Sequence, residues 1–190
     1  MSVIVAVKKE GKCVIASDSL FTEGSQLVQA KYKKNSHKLY KVGSSWVGLV
    51  GWAALNNIFE SIIKEHKNML DFSNRQAIFS TLIQLHAIMK EEYFIETNED
   101  SDQPVESSQA DGIVINENGI FDFDSYREVN EYSHFWSLGS GRRYALGALH
   151  ASFTRVKNPK DIATIAVHAA CDFDDGCGLP IQVKTLKLKK

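Results

Sequence analysis

The chain has 190 residues, 44% of them apolar, and 22 lysines and arginines against 23 acids give a net charge of -1. That size and apolar share predict one domain, residues 1–190, whose core is large enough to fold without disulfide or metal staples. The charge balance lacks the basic excess of a nucleic-acid binder, no apolar run reaches the ~18 residues of a membrane helix, and the opening MSVIVAVKKEGK has its charges after its apolar stretch, the wrong order for a secretory signal.

Val3 to Val7 is a β-branched run, Lys9-Glu10-Gly11-Lys12 is turn-rich, and Cys13 to Ala16 is apolar again, which predicts a hairpin. Ser17 to Asn35 reads as a polar stretch. Lys38 to Val42 and Trp46 to Val50, parted by Gly43-Ser44-Ser45, predict a second hairpin. Ala53 to Lys67 places Leu55, Ile58, Phe59, Ile62 and Ile63 at helical spacing. A longer helix runs to about Tyr93, with Asp71-Phe72-Ser73 as capping candidates and Ile78, Leu82, Leu85, Ile88 and Met89 as its apolar stripe. The acidic stretch Glu96 to Pro104 reads as an exposed loop.

Gly112 to Ile115 and Ile120 to Phe123 form a third predicted hairpin around Asn116-Glu117-Asn118-Gly119. A short strand is expected at Phe135 to Leu138, helices at Arg142 to Val156 and Lys160 to Asp172, the second started by Asn158-Pro159, and a last strand at Pro180 to Leu188. Strand runs and helix runs are segregated, which predicts an α+β layered fold in which a helix pair covers each sheet.

Much of catalytic chemistry is missing from the pattern. Gly139-Ser140-Gly141 lacks the further glycine and lysine of a phosphate loop, and leucine stands where a G-x-S-x-G elbow needs its first glycine. Histidines 37, 66, 86, 134, 150 and 168 have no zinc spacing, and Cys13, Cys171 and Cys177 are odd in number and unpaired in spacing. Neither a metal nor a cofactor is expected. The start of the chain is different: loss of the initiator Met1 would leave Ser2 with an amine and a hydroxyl side by side. A serine needs a base beside it, and an α-amine with a pKa of roughly 7.7–8.0 can be that base near neutral pH.

Four ordered landmarks carry a resemblance. MSVIVAVKKEGKCVIASDS offers a leading nucleophile, a strand, a turn, a strand and Asp18; Lys38-Leu39-Tyr40-Lys41-Val42 precedes Trp46 to Ala54; Ser137-Leu138-Gly139-Ser140-Gly141 precedes a helix; and Asp174-Asp175-Gly176-Cys177-Gly178 precedes the last strand. Together they resemble proteasome β subunits and their bacterial relatives, the HslV-type peptidases and bacterial proteasome homologues. The resemblance implies an N-terminal-nucleophile hydrolase fold, a four-layer αββα sandwich of two antiparallel sheets. It assigns Ser2 as nucleophile with its own amine as base, Lys38 as the cation beside it, Asp18 as the lysine's partner, Ser140 and Asp174 as support for the amine, the Gly51 N–H as oxyanion donor, and Cys177 as a further support.

The family's usual threonine is serine here and its usual serine is Cys177, a weaker donor. Lys34 fits the usual spacing from Asp18 without an insertion, but Lys38 has the strand context and is preferred. The resemblance further implies a cytoplasmic homo-oligomer of two stacked rings acting on unfolded polypeptide or peptide, with room for an ATP-dependent unfoldase as partner. A structural ring subunit without turnover and a small-molecule amidase of the same nucleophile class are the alternatives.

Overall fold

The computed structural model describes residues 2–189; Met1, whose removal the Ser2 chemistry requires, lies outside the described residues. The elements run β1 (Val3–Lys9), β2 (Lys12–Ser17), β3 (Phe21–Glu23), β4 (Gln26–Val28), β5 (Leu39–Val42), β6 (Ser45–Val50), α1 (Ala54–Glu65) and α2 (Arg75–Glu91). They continue with β7 (Asp111–Ile115), β8 (Ile120–Phe123), β9 (Val129–Tyr132), β10 (Phe135–Gly139), α3 (Arg142–Phe153), α4 (Pro159–Phe173) and β11 (Gln182–Lys187).

Two antiparallel sheets form the middle of the molecule, one in the order β10-β1-β2-β11 and one in the order β5-β6-β7-β8-β9. Alternation along β1 shows how the layers arise. Val3, Val5 and Val7 pack with Leu149, Ile162 and Val167 of α3 and α4. Ile4 and Ala6 point the other way, into a layer with Ile113, Ile115 and Ile120 of the second sheet. The second sheet's far face, with Val47, Leu49, Val114 and Phe121, is covered by Leu55, Phe59, Ile62, Ile78 and Leu82 of α1 and α2. The result is the four-layer αββα sandwich, and each fully buried aliphatic side chain contributes roughly 1.5–3 kcal/mol to it. A strand buried on both faces is the reason β1 reads as an unbroken apolar run.

The turn Glu10-Gly11 has positive φ at both residues, 51° and 68°, the geometry whose twist matches the strands it joins. The starts of α2 and α4 are set by asparagines. Asn158 Oδ1 accepts from Lys160 N at 3.1 Å with Pro159 as the first helical residue. For α2 the cap is Asn74, whose Oδ1 accepts from Ala77 N at 3.0 Å. Asp71, expected as a cap, instead closes a local turn by accepting from Ser73 N. The supposed polar stretch after Ser17 holds the β3–β4 hairpin, which pairs with neither main sheet. Strand β9 extends the second sheet at an edge that the sequence left without a strand.

Candidate active site

Asp18 sits at the end of β2, fully buried. A buried carboxylate is tolerated only when its lone pairs are filled, and here four donors fill them. Oδ1 accepts from Val3 N at 3.0 Å and Lys38 Nζ at 2.8 Å; Oδ2 accepts from Leu20 N at 3.0 Å and Gly178 N at 3.2 Å. The carboxylate therefore ties the first strand, the residues leading into β3, the turn before β11 and the approach to β5 to one point.

Lys38 immediately precedes β5 and is 2% exposed. Its ammonium also donates to Leu20 O at 2.6 Å and lies 5.2 Å from the centre of the Phe21 ring. Lys34 is exposed. Of the two lysines considered, Lys38 is the one paired with Asp18.

Ser2 stands just ahead of β1 and is itself buried. Its nitrogen lies 3.2 Å from Ser140 Oγ, which donates to Asp174 Oδ1 at 2.9 Å. Gly141 N donates to Ser2 O at 3.3 Å, so the turn after β10 grips the main chain of the first described residue. Gly139 makes this approach practicable: its φ is 97°, and a Cβ there would collide with Ser2 O. Asp174, the residue closing α4, is held by Gly176 N at 3.0 Å, while its own carbonyl accepts from Cys177 N at 3.1 Å. The buried Cys177 thiol is pushed far above its ordinary value, by burial first, then by the Asp18 carboxylate and by its hydrogen bond to Asp174. A shift in that direction disfavours the thiolate that a cysteine nucleophile needs.

Ser2 and Lys38 open onto one cavity of about 260 Å³, whose walls include Phe21, Leu49, Leu55 and Asn56 and whose rim includes Gly51 and Trp52. Gly51, at the turn from β6 into α1, has φ 148°, a conformation that side chains rarely adopt and that leaves its main chain lining the cavity. Of the seven residues singled out in the sequence, Ser2, Lys38 and Gly51 line this space; Asp18 is bonded to Lys38 and Ser140 to the Ser2 nitrogen, and Asp18, Ser140, Asp174 and Cys177 lie outside the lining. Phe21, Leu20 O, the Gly178 N–H and Asn56 were not foreseen. The apolar pair Leu20-Phe21 inside a polar stretch was the available signal for the first two; main-chain groups such as Gly178 N leave no mark in a sequence.

A family model described as "Proteasome subunit" matches residues 2–182. Among solved structures, Thiobacillus denitrificans BPH in complex with epoxomicin is 32% identical, with 99% of this chain and 100% of that chain covered at a TM-score of 0.90. A second structure of Thiobacillus denitrificans BPH is also 32% identical, covering 98% of each chain at a TM-score of 0.88. Eukaryotic HslV from Trypanosoma brucei shares the fold at 20% identity, with 97% and 99% coverage and a TM-score of 0.67. No curated protein matches. Among the described residues no helix is long and apolar enough to cross a membrane.

Proposed function

Since the chain belongs to the proteasome subunit family, a family of N-terminal-nucleophile peptidases, we propose that it hydrolyses peptide bonds with Ser2 as the nucleophile. The chain acts in this reading as one domain, and Met1 is removed so that the Ser2 amine is free. The Ser2 hydroxyl gives its proton to that amine and attacks the peptide carbonyl. The oxyanion that forms accepts from the Gly51 N–H, a contact of a kind that contributes about 3 kcal/mol. Collapse of the tetrahedral species expels the leaving amine, which takes a proton from the Ser2 ammonium. An ester on Ser2 remains, and water then cleaves it by the same route.

Lys38 places a positive charge beside the hydroxyl and the amine, which favours loss of a proton from each. Asp18 holds that charge in place, and the Ser140–Asp174 pair orients the nitrogen that serves as base. The observation that carries this reading is the buried Lys38–Asp18 pair, every polar atom of which is committed, opening onto the same cavity as Ser2. A buried ion pair is weak as a stabilising device, so its retention beside a serine points to chemistry. We place the protein in the cytoplasm as two stacked homomeric rings that enclose the active sites, taking unfolded polypeptide, with an ATP-dependent unfoldase as the partner that would deliver it.

An intact-mass spectrum paired with native mass spectrometry and electrophile labelling tests the proposal. The expected mass is that of the chain less one methionine, in a multimer, with a peptide boronate or β-lactone attached at Ser2. Ser2→Ala should lose the label and about 10⁴-fold or more of the turnover. Processed protein that takes no label and cleaves no peptide would establish a non-catalytic ring subunit instead.

A further inference from the structure

The cavity beside Ser2 has a composition of its own, and it bears on which side chain is accepted next to the scissile bond. Phe21, Leu49 and Leu55 supply the apolar part of its walls, and Thr22 and Asn56 add uncharged polar groups. No acidic side chain lines it among the described residues, and its one cation, Lys38, is neutralised by Asp18 at 2.8 Å. A charged substrate side chain would lose its water there without gaining an opposite charge, which is costly.

One wall group is polar and anchored. Asn56, in the first turn of α1, lines the cavity, and its Oδ1 accepts from Tyr40 Oη at 2.8 Å. Tyr40 is 5% exposed, packed edge-on against Phe59, and its phenol is pushed far up by burial and by the Glu60 carboxylate, so it stays a donor. With the carboxamide oxygen engaged by Tyr40, the Asn56 amino group makes no hydrogen bond among the described residues and is the donor that an occupant of the cavity can meet. The carboxamide oxygen already accepts from Tyr40, whereas both amino donors are unspent.

Building on the peptidase reading above, we infer that this cavity selects an uncharged substrate side chain with an apolar stem and a hydrogen-bond acceptor at its tip, of the glutamine class, with Asn56 as the specificity-determining residue and Tyr40 as its positioning residue. Leucine fits the same walls but leaves the Asn56 donor without a partner. Lysine and glutamate are rejected on charge.

The test uses the processed, full-length protein and fluorogenic peptides that differ only in the residue whose carbonyl is attacked. Glutamine should exceed leucine in kcat/KM by about three- to tenfold, the yield of one net hydrogen bond. Lysine and glutamate should fall about tenfold or more below leucine. Asn56→Leu should reverse the glutamine-to-leucine order. Tyr40→Phe keeps the ring but frees the amide to turn over, and should bring the ratio towards one. Preference for lysine or glutamate over both uncharged residues overturns the inference. So does an unchanged glutamine-to-leucine ratio in both variants. Epoxomicin labelling that is lost in Ser2→Ala runs alongside: labelled protein with a flat ratio overturns this inference alone, whereas no label and no cleavage overturn the peptidase reading and this inference with it.

Discussion

Two polar clusters border Ser2, one sharing its cavity through Lys38 and the other bonded to its nitrogen, and they are built on different physical terms. Asp18 and Lys38 lie in the core, with side-chain exposures of 0% and 3%, and each polar atom is matched. Ser140 is exposed and Asp174 half-buried, and their hydrogen bond is open to water. The first cluster is fixed because any loose charge in it would be ruinous. The second can be altered at small cost, since water replaces whatever is removed. On the proposed mechanism, the cation beside the nucleophile draws on the first kind of environment and orientation of the amine on the second.

The largest effects are therefore expected at Asp18. Asp18→Asn puts an amide N–H₂ among four donors and leaves the Lys38 ammonium buried without a counter-charge. Loss of one partner of a buried pair costs about 3–5 kcal/mol, equivalent to a fall in Tm of roughly 6–20 °C for a chain of this size. Adding Lys38→Met removes the stranded charge, so thermal melts of the double variant should recover part of the loss. Its peptide hydrolysis should stay absent. If the double variant melts no higher than Asp18→Asn, the cluster is not held together by charge compensation.

The outer cluster should show the reverse pattern. Ser140→Ala and Asp174→Asn each remove one water-accessible hydrogen bond and should shift stability by less than about 1 kcal/mol. Turnover should drop by about 10- to 100-fold, because the amine is less well placed. Turnover equal to that of the unaltered protein would mean that the Ser140–Asp174 pair supports the turn after β10 and not the base.

The same contrast governs what could be read before any coordinates. β1 was legible because burial on both faces writes itself into Val3–Val7 as an uninterrupted apolar run, and Glu10-Gly11 marks a turn that demands positive φ. The ordered motifs around Asp18, Lys38, Gly139-Ser140-Gly141 and Asp174 were enough to recognise the family and its layers. The β3–β4 hairpin was not visible, since three-residue strands outside both main sheets have little hydrophobic period to display. β9, Val129–Tyr132, was missed because its burial is uneven and its Asn-Glu centre is polar. In the site, Lys38 and Asp18 could be paired by pattern, but the half of Asp18's environment supplied by Leu20 N and Gly178 N is main chain, and any residue at those positions brings the same N–H. Asn56 was hidden for a different reason: on α1 it is an unremarkable polar residue until Tyr40, from another element, is seen to hold its oxygen.

The smallest effect belongs to Cys177, which is 5% exposed and so lies beside the water-accessible pair without sharing its environment. Its thiol donates to Asp174 and is held protonated by burial, the Asp18 carboxylate and that hydrogen bond. Cys177→Ser substitutes a stronger donor of similar size and should raise turnover by no more than about threefold, as one net hydrogen bond improves. The sign of the pH effect follows from the direction of the thiol's shift. In the unfolded chain a cysteine loses its proton near pH 8.5, whereas the folded chain keeps it. Above that pH the folded state binds the extra proton, and stability falls as pH rises towards the folded value. Cys13 and Cys171, pushed up to about 12 and about 11 by burial, contribute in the same direction. Denaturant unfolding at pH 8 and pH 10 should therefore show a loss with pH in the unaltered protein and a shallower one in Cys177→Ser, while both lose nothing on this account between pH 6 and 8. An equal slope in the two proteins would show that the Cys177 thiol ionises in the folded state as readily as in the unfolded.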